Sequence, residues 1–440
     1  MASRTFRGLS RFAPLMALLL LFTLHIAVSA QTSAAAPALV APPVTTFHFT
    51  DRGEDIPGRM TTDAAGNFYI AAQLDDIFHP SGFGVLKYNF SGTLQGAFRY
   101  KPAAGEFNGV AREVKLDKLG NIFAVGDTSL GGVVVSFTSA GAQRWARHFS
   151  TSGIALAVDA NGNVYAAGTH VTGNFQGEWV IVKFTSAGQV VWTKRRTGTS
   201  GGDVRLTDIQ LDPAGNPVVL GTTNIPVGAV TNTMTTWKLD GNGNTRFAKD
   251  FVAVAGVGQI PAGLAIDSAG SVYATCATNP PEGNQIPFTV KYDSSGNRMF
   301  VLSGTGAGGA AVAVDPSGDI LLTGAKILQG VPAIITASKF HANGGKVWVA
   351  NVAAGEKIVP DATGNVFVAG SIANADTTNV GPLDYLITKL SPSGAVLFQS
   401  RISAGDEVTD AVVDPLGNVL VTGSVLNARF EHDILTVRTK

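Results

Sequence analysis

Short segments of alternating apolar and polar residues recur along the chain, and no apolar stretch shows the 3.6-residue periodicity of a long helix. One pair of such segments, Ile154–Val158 and Val164–Ala167, flanks the turn sequence Asp159–Asn163. The Asp159 carboxylate can accept hydrogen bonds from backbone amides two residues on, and Gly162 can adopt the left-handed conformation that closes a bulged hairpin. The pattern therefore predicts short antiparallel strands joined by tight turns.

The same turn recurs eight times, with starts separated by 42 to 55 residues. Asp and Gly are present in every copy, which indicates a repeat architecture rather than two or three ordinary domains. We interpret the eight aspartates as structural residues that order their own turns rather than as metal ligands. They are Asp63, Asp117, Asp159, Asp212, Asp267, Asp315, Asp361 and Asp414.

A second hairpin follows the first in each repeat. Its strands carry a large residue four positions before a turn glycine and an aromatic four positions after it, as in Phe184, Gly188 and Trp192. In the first repeat Gly96 takes the place of the second aromatic. The equal spacing predicts that the two large residues face each other across the hairpin. A lysine precedes the turn in six copies, and we expect its ammonium to lie in water above an apolar-packed stem. These lysines are Lys87, Lys183, Lys238, Lys291, Lys339 and Lys389.

Two hairpins per repeat give four strands, A to D, so the chain is predicted to be all-β: a single β-propeller of four-stranded antiparallel blades. Small side chains dominate strands A and B and bulky ones dominate C and D, as a wedge-shaped blade requires. We predict eight blades over 44–440, with seven as the alternative. The last repeat lacks a D strand, and Thr45–Thr50 resembles one, so an N-terminal strand is predicted to close the ring.

The repeats resemble a bacterial β-propeller repeat family often called seven-bladed β-propeller repeats. The resemblance rests on the segments Asp159–Gly168 and Val182–Gly188 and extends over nearly all of 59–440. It implies a secreted or envelope-associated bacterial protein, and the family is mostly without assigned activity. The chain departs from the pattern in its eight copies.

The first thirty residues have the pattern of a secretory signal peptide. Three arginines precede the apolar run Leu15–Val28, and Val28-Ser29-Ala30 is a small-x-small cleavage site. Residues 31–43 are rich in Ala, Pro and Ser and are predicted to be a spacer. We therefore expect a secreted protein, extracellular or periplasmic, without a transmembrane anchor after cleavage. An uncleaved anchor is the alternative. Cys276 is the only cysteine and is expected to be a buried apolar side chain.

Charge argues against nucleic acid as a partner. Without the three leader arginines, the basic residues number three fewer than the 32 acidic ones, whereas a duplex-binding surface is basic. We expect a monomer whose ligand is a protein, a glycan or a cell-surface component.

Specificity is expected in the B–C and D–A loops, which vary between repeats and share one face of a propeller. Two polar groups there are candidate ligand-binding residues, because carboxylates and imidazoles suit a metal or a sugar. The alternative is that they are solvated loop charges. The first group is Asp75, Asp76 and His79, and the second is Glu431, His432 and Asp433. No motif indicates a catalytic residue, a metal site or a cofactor.

The favoured hypothesis is a non-enzymatic binding module that uses these loops. The alternative is a propeller enzyme, either a lyase or hydrolase acting on a polysaccharide or an antibiotic, or a quinoprotein-like dehydrogenase. A structural scaffold or adhesion module is the third possibility.

Overall fold

The computed structural model describes 42–440 except 52, 76–81, 108, 151, 172–176, 199–203, 224–231, 281–282, 329–330, 374–382, 404–405, 428 and 430. The predicted signal peptide, Asp76 and His79 lie outside these residues. All regular secondary structure within these residues is β-strand. This part of the chain therefore has no helix able to span a membrane.

The strands form eight four-stranded antiparallel sheets, each ordered as a meander. Strand β1 is Thr45–Phe49. The first four blades comprise β2 (Asp55–Thr62), β3 (Phe68–Leu74), β4 (Phe83–Tyr88), β5 (Leu94–Arg99); β6 (Gly109–Leu116), β7 (Ile122–Thr128), β8 (Gly131–Phe137), β9 (Gln143–Ser150); β10 (Ser152–Val158), β11 (Val164–Val171), β12 (Gly177–Phe184), β13 (Val190–Thr197); and β14 (Arg205–Leu211), β15 (Pro217–Thr223), β16 (Thr233–Leu239), β17 (Thr245–Phe251).

The other four comprise β18 (Gly258–Ile266), β19 (Val272–Asn279), β20 (Pro287–Tyr292), β21 (Arg298–Ser303); β22 (Ala311–Val314), β23 (Ile320–Leu328), β24 (Val331–Phe340), β25 (Lys346–Asn351); β26 (Lys357–Pro360), β27 (Val366–Ala373), β28 (Leu383–Leu390), β29 (Val396–Ile402); and β30 (Val408–Val413), β31 (Val419–Leu426), β32 (His432–Thr439) with β1.

The A strands of successive blades contact one another in a closed ring around the axis, and β2 contacts both β6 and β30. Blade eight is completed by β1, which pairs antiparallel with β32 from Thr45 opposite Arg438 to Phe49 opposite Ile434. The eight-bladed fold and its closure by an N-terminal strand are thus confirmed. The hydrophobic core lies between the blades, as clusters shared by neighbouring sheets.

Each A–B turn is held by its own aspartate. In the third blade, Asp159 Oδ1 accepts the amides of Asn161 and Asn163 at 2.9 Å, and its Oδ2 accepts the Asn163 side-chain amide at 2.8 Å. Gly162 takes the left-handed conformation, with φ of 77°. All eight repeat aspartates accept amides two and four residues on. These carboxylates are therefore engaged within their turns.

The expectation that the repeated lysines place their ammonium groups in water is wrong for the buried ones. Lys339 Nζ lies 2.6 Å from Asp315 Oδ2 and 3.1 Å from Asp319 Oδ2. Lys238 Nζ lies 2.9 Å from Asp212 and donates to a carbonyl in the next blade's C–D turn. The Lys238 ammonium is thus bound by the turn carboxylate of its own blade and by a turn carbonyl of the next blade. It therefore needs no water.

The predicted pairing of large residues across the C–D hairpin is also wrong. The register places Trp192 opposite Lys183, because the hairpin carries a bulge beside its turn. The D-strand aromatics instead pack on the next blade. The Trp145 indole covers Gly188, its Nε1 donates to Ser186 O at 3.0 Å, and its ring centroid lies 6.0 Å from that of Phe184. Each blade thus uses its rim aromatic to pack against its neighbour.

Candidate functional site

Of the first polar group predicted from the loops, the structure describes Asp75, which lies near the second group where blades one and eight adjoin, a region we call the closing junction. Asp75 follows β3, and its amide donates to Glu54 O at 3.2 Å, while its carboxylate accepts Gln73 Nε2 at 2.6 Å. Glu54 also reaches the second group, because its Oε2 lies 2.9 Å from His432 Nδ1. The sequence thus identified both sides of one junction.

Within the closing junction the predicted residues pair with protein groups. His432 Nε2 lies 3.4 Å from Asp406 Oδ2, and Glu431 Oε2 lies 2.8 Å from Arg429 Nε. Asp433 is buried and accepts Asn427 Nδ2 at 3.1 Å, with His48 Nε2 3.2 Å from its other oxygen. Over the part of the chain that the structure describes, no three His, Cys, Asp or Glu residues are grouped to hold a metal ion. These contacts lie within blade eight, and the His432–Glu54 pair links β32 to the segment that leads into blade one.

A second cluster of charges lies on the propeller axis, and its members Arg59, Glu113 and Asp208 each stand four residues before a repeat aspartate. Arg59 of blade one reaches Asp208 of blade four, with 2.9 Å between Nη1 and Oδ1, and lies 3.5 Å from Glu113 Oε1. Glu113 also lies 2.8 Å from Lys115 Nζ. Burial raises the pKa of Glu113, but the charges of Lys115 and Arg59 outweigh burial and leave that pKa below its usual value. The axial charges therefore satisfy one another.

The sequence did not indicate a pocket of about 640 Å³ that opens between blades two and three on the face of the variable loops. We call it the interblade pocket, and the face the loop face. Its walls come from the β7–β8 loop, the end of β9, the end of β11 and strand β13. The residues are Thr128, Ser129, Leu130, Gly131, His148, Phe149, Ser150, His170 and Arg195.

His148 is positioned in the pocket wall by a buried carboxylate. Its Nε2 lies 3.3 Å from Glu106 Oε1, and Glu106 is only 3% exposed. Tyr100 Oη donates to Glu106 Oε2 at 2.9 Å. Burial raises the pKa of Glu106, yet hydrogen bonds from Thr128, Tyr100 and Ala103 together with His148 leave it lowered overall. Glu106 Oε1 has no hydrogen-bond partner among the described residues, so its contact with His148 is one of charge.

The rest of the pocket combines a cation with apolar surface. The Arg195 side chain is half exposed and pairs with Glu178. Leu130 lines the pocket and is 59% exposed, and Phe107, whose backbone bonds to Ser129, is 54% exposed. Backbone hydrogen bonding between Ser129 N and Phe107 O at 2.9 Å holds the two loops together. Such a surface offers hydrogen-bond donors beside an apolar platform.

Cys276 is fully buried, as expected, and burial raises the pKa of its thiol to about 12. A buried thiol with a raised pKa is unreactive. It adds nothing to a site.

No protein-family model matches the sequence, and no curated protein is significantly similar to it. Among solved structures, quinohemoprotein alcohol dehydrogenase ADHIIG from Pseudomonas putida HK5 aligns with a TM-score of 0.54 and 10% identity, over 90% of this chain and 76% of its own. The WD40 domain of SCAP from fission yeast aligns with a TM-score of 0.46 and 8% identity, over 90% and 98%. Polysaccharide lyase Uly1 aligns with a TM-score of 0.47 and 9% identity, over 91% and 100%. At these identities the similarity shows the β-propeller fold alone.

Proposed function

We propose that this chain is a secreted or envelope β-propeller that binds a glycan in the interblade pocket, without catalysing a reaction. The observation that carries the proposal is the contrast between the two faces. The A–B and C–D turns satisfy their own polar groups, whereas the loop face holds an open pocket with an exposed apolar rim and polar walls.

The pocket has the size and chemistry that a short saccharide requires. Its volume of about 640 Å³ lies within the usual range for small-molecule sites. Phe107 and Leu130 provide an apolar platform for the C–H face of a sugar ring. Arg195 and His148 provide donors for hydroxyl or carboxylate oxygens, and the Glu106 carboxylate lies 3.3 Å from His148 Nε2 before a ligand arrives. Preorganised donors lower the entropic cost of binding.

Binding is tested by screening the full chain against neutral and uronate-containing oligosaccharides and measuring the dissociation constant of any hit by calorimetry. We expect Arg195→Met to weaken binding at least about tenfold, equivalent to about 1.4 kcal/mol. Arg401→Met is the matched control, because Arg401 lies at the equivalent position of β29 and pairs with Asp384 in blade seven. Equal affinities of Arg195→Met and wild type would overturn the assignment of the pocket.

The His148–Glu106 pair is the one observation that favours an enzyme, because a carboxylate-held imidazole can serve as a general base. A polysaccharide lyase or hydrolase is therefore the second candidate. Prolonged incubation with each bound glycan distinguishes the two. New reducing ends or unsaturated products, lost in His148→Gln, would establish turnover and overturn the binding-module proposal.

A further inference from the structure

The closing junction contains a buried carboxyl group whose hydrogen bonds are incomplete. Asp55 begins β2, directly after the segment that carries the chain from β1 in blade eight to blade one. Its side chain is fully buried, and Oδ2 accepts the amide of Asp51 at 2.7 Å. Its Oδ1 is also buried but has no hydrogen-bond partner among the described residues. An ionised carboxylate in such a place is costly, because one oxygen has lost water and gained no donor.

Among the described residues, the charged groups that face Asp55 are two carboxylates and one guanidinium. Asp51 and Asp433 face it from the crossing segment and from β32, and Arg99 faces it from β5. Arg99 is itself paired with Asp51. Asp433 pairs with His48 of β1. The outer shell holds the further ionisable side chains of Glu54, Asp406, Arg429, Glu431 and His432.

We propose that Asp55 is a proton-binding latch on ring closure, which holds the closing junction when its carboxyl is neutral and loosens the junction when it is ionised. A proton on Oδ1 turns a buried acceptor without a donor into a neutral hydroxyl that can itself donate. Ionisation removes that donor and adds a negative charge beside those of Asp51 and Asp433. The latch lies where β1 joins the ring, so its loss weakens the contact that completes blade eight.

The direction of the pH dependence follows from this environment. Burial is the largest influence on the pKa of Asp55 and raises it, the Asp51 amide lowers it, the charges of Asp51 and Asp433 raise it, and Arg99 lowers it, leaving the pKa at about 7. The folded-state pKa is thus above the unfolded value of 3.8. The stabilisation is therefore complete below the unfolded value and is lost as pH rises through about 7.

The test is the denaturant midpoint of the full chain from about pH 5.5 to about pH 8.5. We expect the wild-type midpoint to fall across this range, and Asp55→Asn, which keeps a donor at every pH, to lose at least half of that fall. Asp384→Asn is the matched control, because Asp384 is equally buried at the loop end of β28 but pairs with Arg401. Its pH dependence should follow the wild type. Equal slopes for wild type and Asp55→Asn would overturn the proposal.

Hydrogen exchange of the wild type tests where the effect occurs and does not depend on the variant folding. Protection factors, which correct for intrinsic base catalysis, are compared for the amides of β1 and of β13, the outer strand of blade three. We expect protection in β1 to fall between about pH 6 and about pH 8 while that in β13 stays constant. A uniform fall in both strands, or none in β1, would contradict a latch at the closing junction.

Discussion

Phe47 of the closing strand lies against Gly92 in the C–D turn of the first blade, so closely that a Cβ at position 92 would come within 1.8 Å of its ring. Gly92 has a φ of 84°, a conformation that strains other residues. The contact repeats that of Trp145 on Gly188, so β1 supplies the eighth blade with a rim aromatic. Closure thus uses the same interblade contact as the rest of the ring.

Comparing Gly92→Ala with Gly215→Ala should separate the energetic cost of disturbing the Phe47 contact from that of the turn conformation. Gly215 is the matched control, because its φ is 80° and a Cβ there would meet nothing within 4 Å. We expect Gly215→Ala to lower the free energy of unfolding by about 1 kcal/mol through backbone strain alone. Gly92→Ala adds the displacement of Phe47, about 1–3 kcal/mol more. Denaturant unfolding measures both, and equal losses would contradict the close packing of Phe47.

Truncation of the Phe47 side chain should weaken ring closure. Its ring is 9% exposed and packs 5.4 Å from the ring centre of Phe68 and 6.2 Å from that of Tyr88. We expect Phe47→Ala to cost about 3 kcal/mol in unfolding free energy. Deletion of 44–50 should lower the melting temperature further and expose β32 as an edge that promotes aggregation, measured by light scattering. A deletion variant that melts like the intact chain would contradict closure by β1.

The buried lysines should contribute more to stability than the exposed member of their series. Lys339→Met leaves Asp315, whose side chain is 1% exposed, without its cation, so we expect a loss of about 3 kcal/mol. Lys87→Met removes a contact to Ser139 O at the surface and should cost about 1 kcal/mol or less. Chemical denaturation of the two variants checks the difference. Similar losses would mean that the carboxylate pairing adds nothing measurable.

The axial ion pairs should govern resistance to acid. The pKa of Glu113 is lowered in the folded state, so its contribution is present above its unfolded value and is lost as pH falls through the folded one. Arg59→Leu removes one of the two cations responsible, and we expect the midpoint of acid unfolding to move to higher pH. Arg59→Lys keeps the charge, so its midpoint of acid unfolding should return most of the way to the wild-type value. Circular dichroism follows the unfolding. An unchanged midpoint in Arg59→Leu would show that Lys115 alone holds the Glu113 carboxylate.

The turn conformations were predictable from the sequence because the residues that determine each turn are close neighbours in the chain. Asp159 and Gly162 define their turn within a few positions, and their spacing from copy to copy predicted the blades. Contacts between blades were not predictable in this way. Trp145 packs on Gly188 in the next repeat, and only the bulge beside the turn decides which partner it takes. At Gly96 the missing aromatic is replaced by Phe98, two residues on, which covers Gly141.

In the candidate site, too, residues that are close in sequence were predictable and residues that are distant in sequence were not. Asp75 and His432 were found because polar residues cluster in their loops, yet their joint position at the closing junction depends on ring closure. The interblade pocket was not predictable from the sequence, because His148, His170 and Arg195 are far apart in the chain. Glu106, which contacts His148, comes from another loop. Sequence spacing does not reveal such a convergence.

The rim contacts that cover the glycine of a C–D turn all run in one direction, from the D strand of one blade to the C–D turn of the next, as Phe47 on Gly92, Phe98 on Gly141 and Trp145 on Gly188 show. Blade eight alone lacks a turn of this kind, because its C and D strands, β32 and β1, are not consecutive in the chain. The order of the repeats around the ring, rather than their order along the chain, therefore carries the structural information. Joining β32 to β1 by a turn and reopening the chain in the C–D turn of another blade should preserve the same fold, with that other blade formed from the two termini.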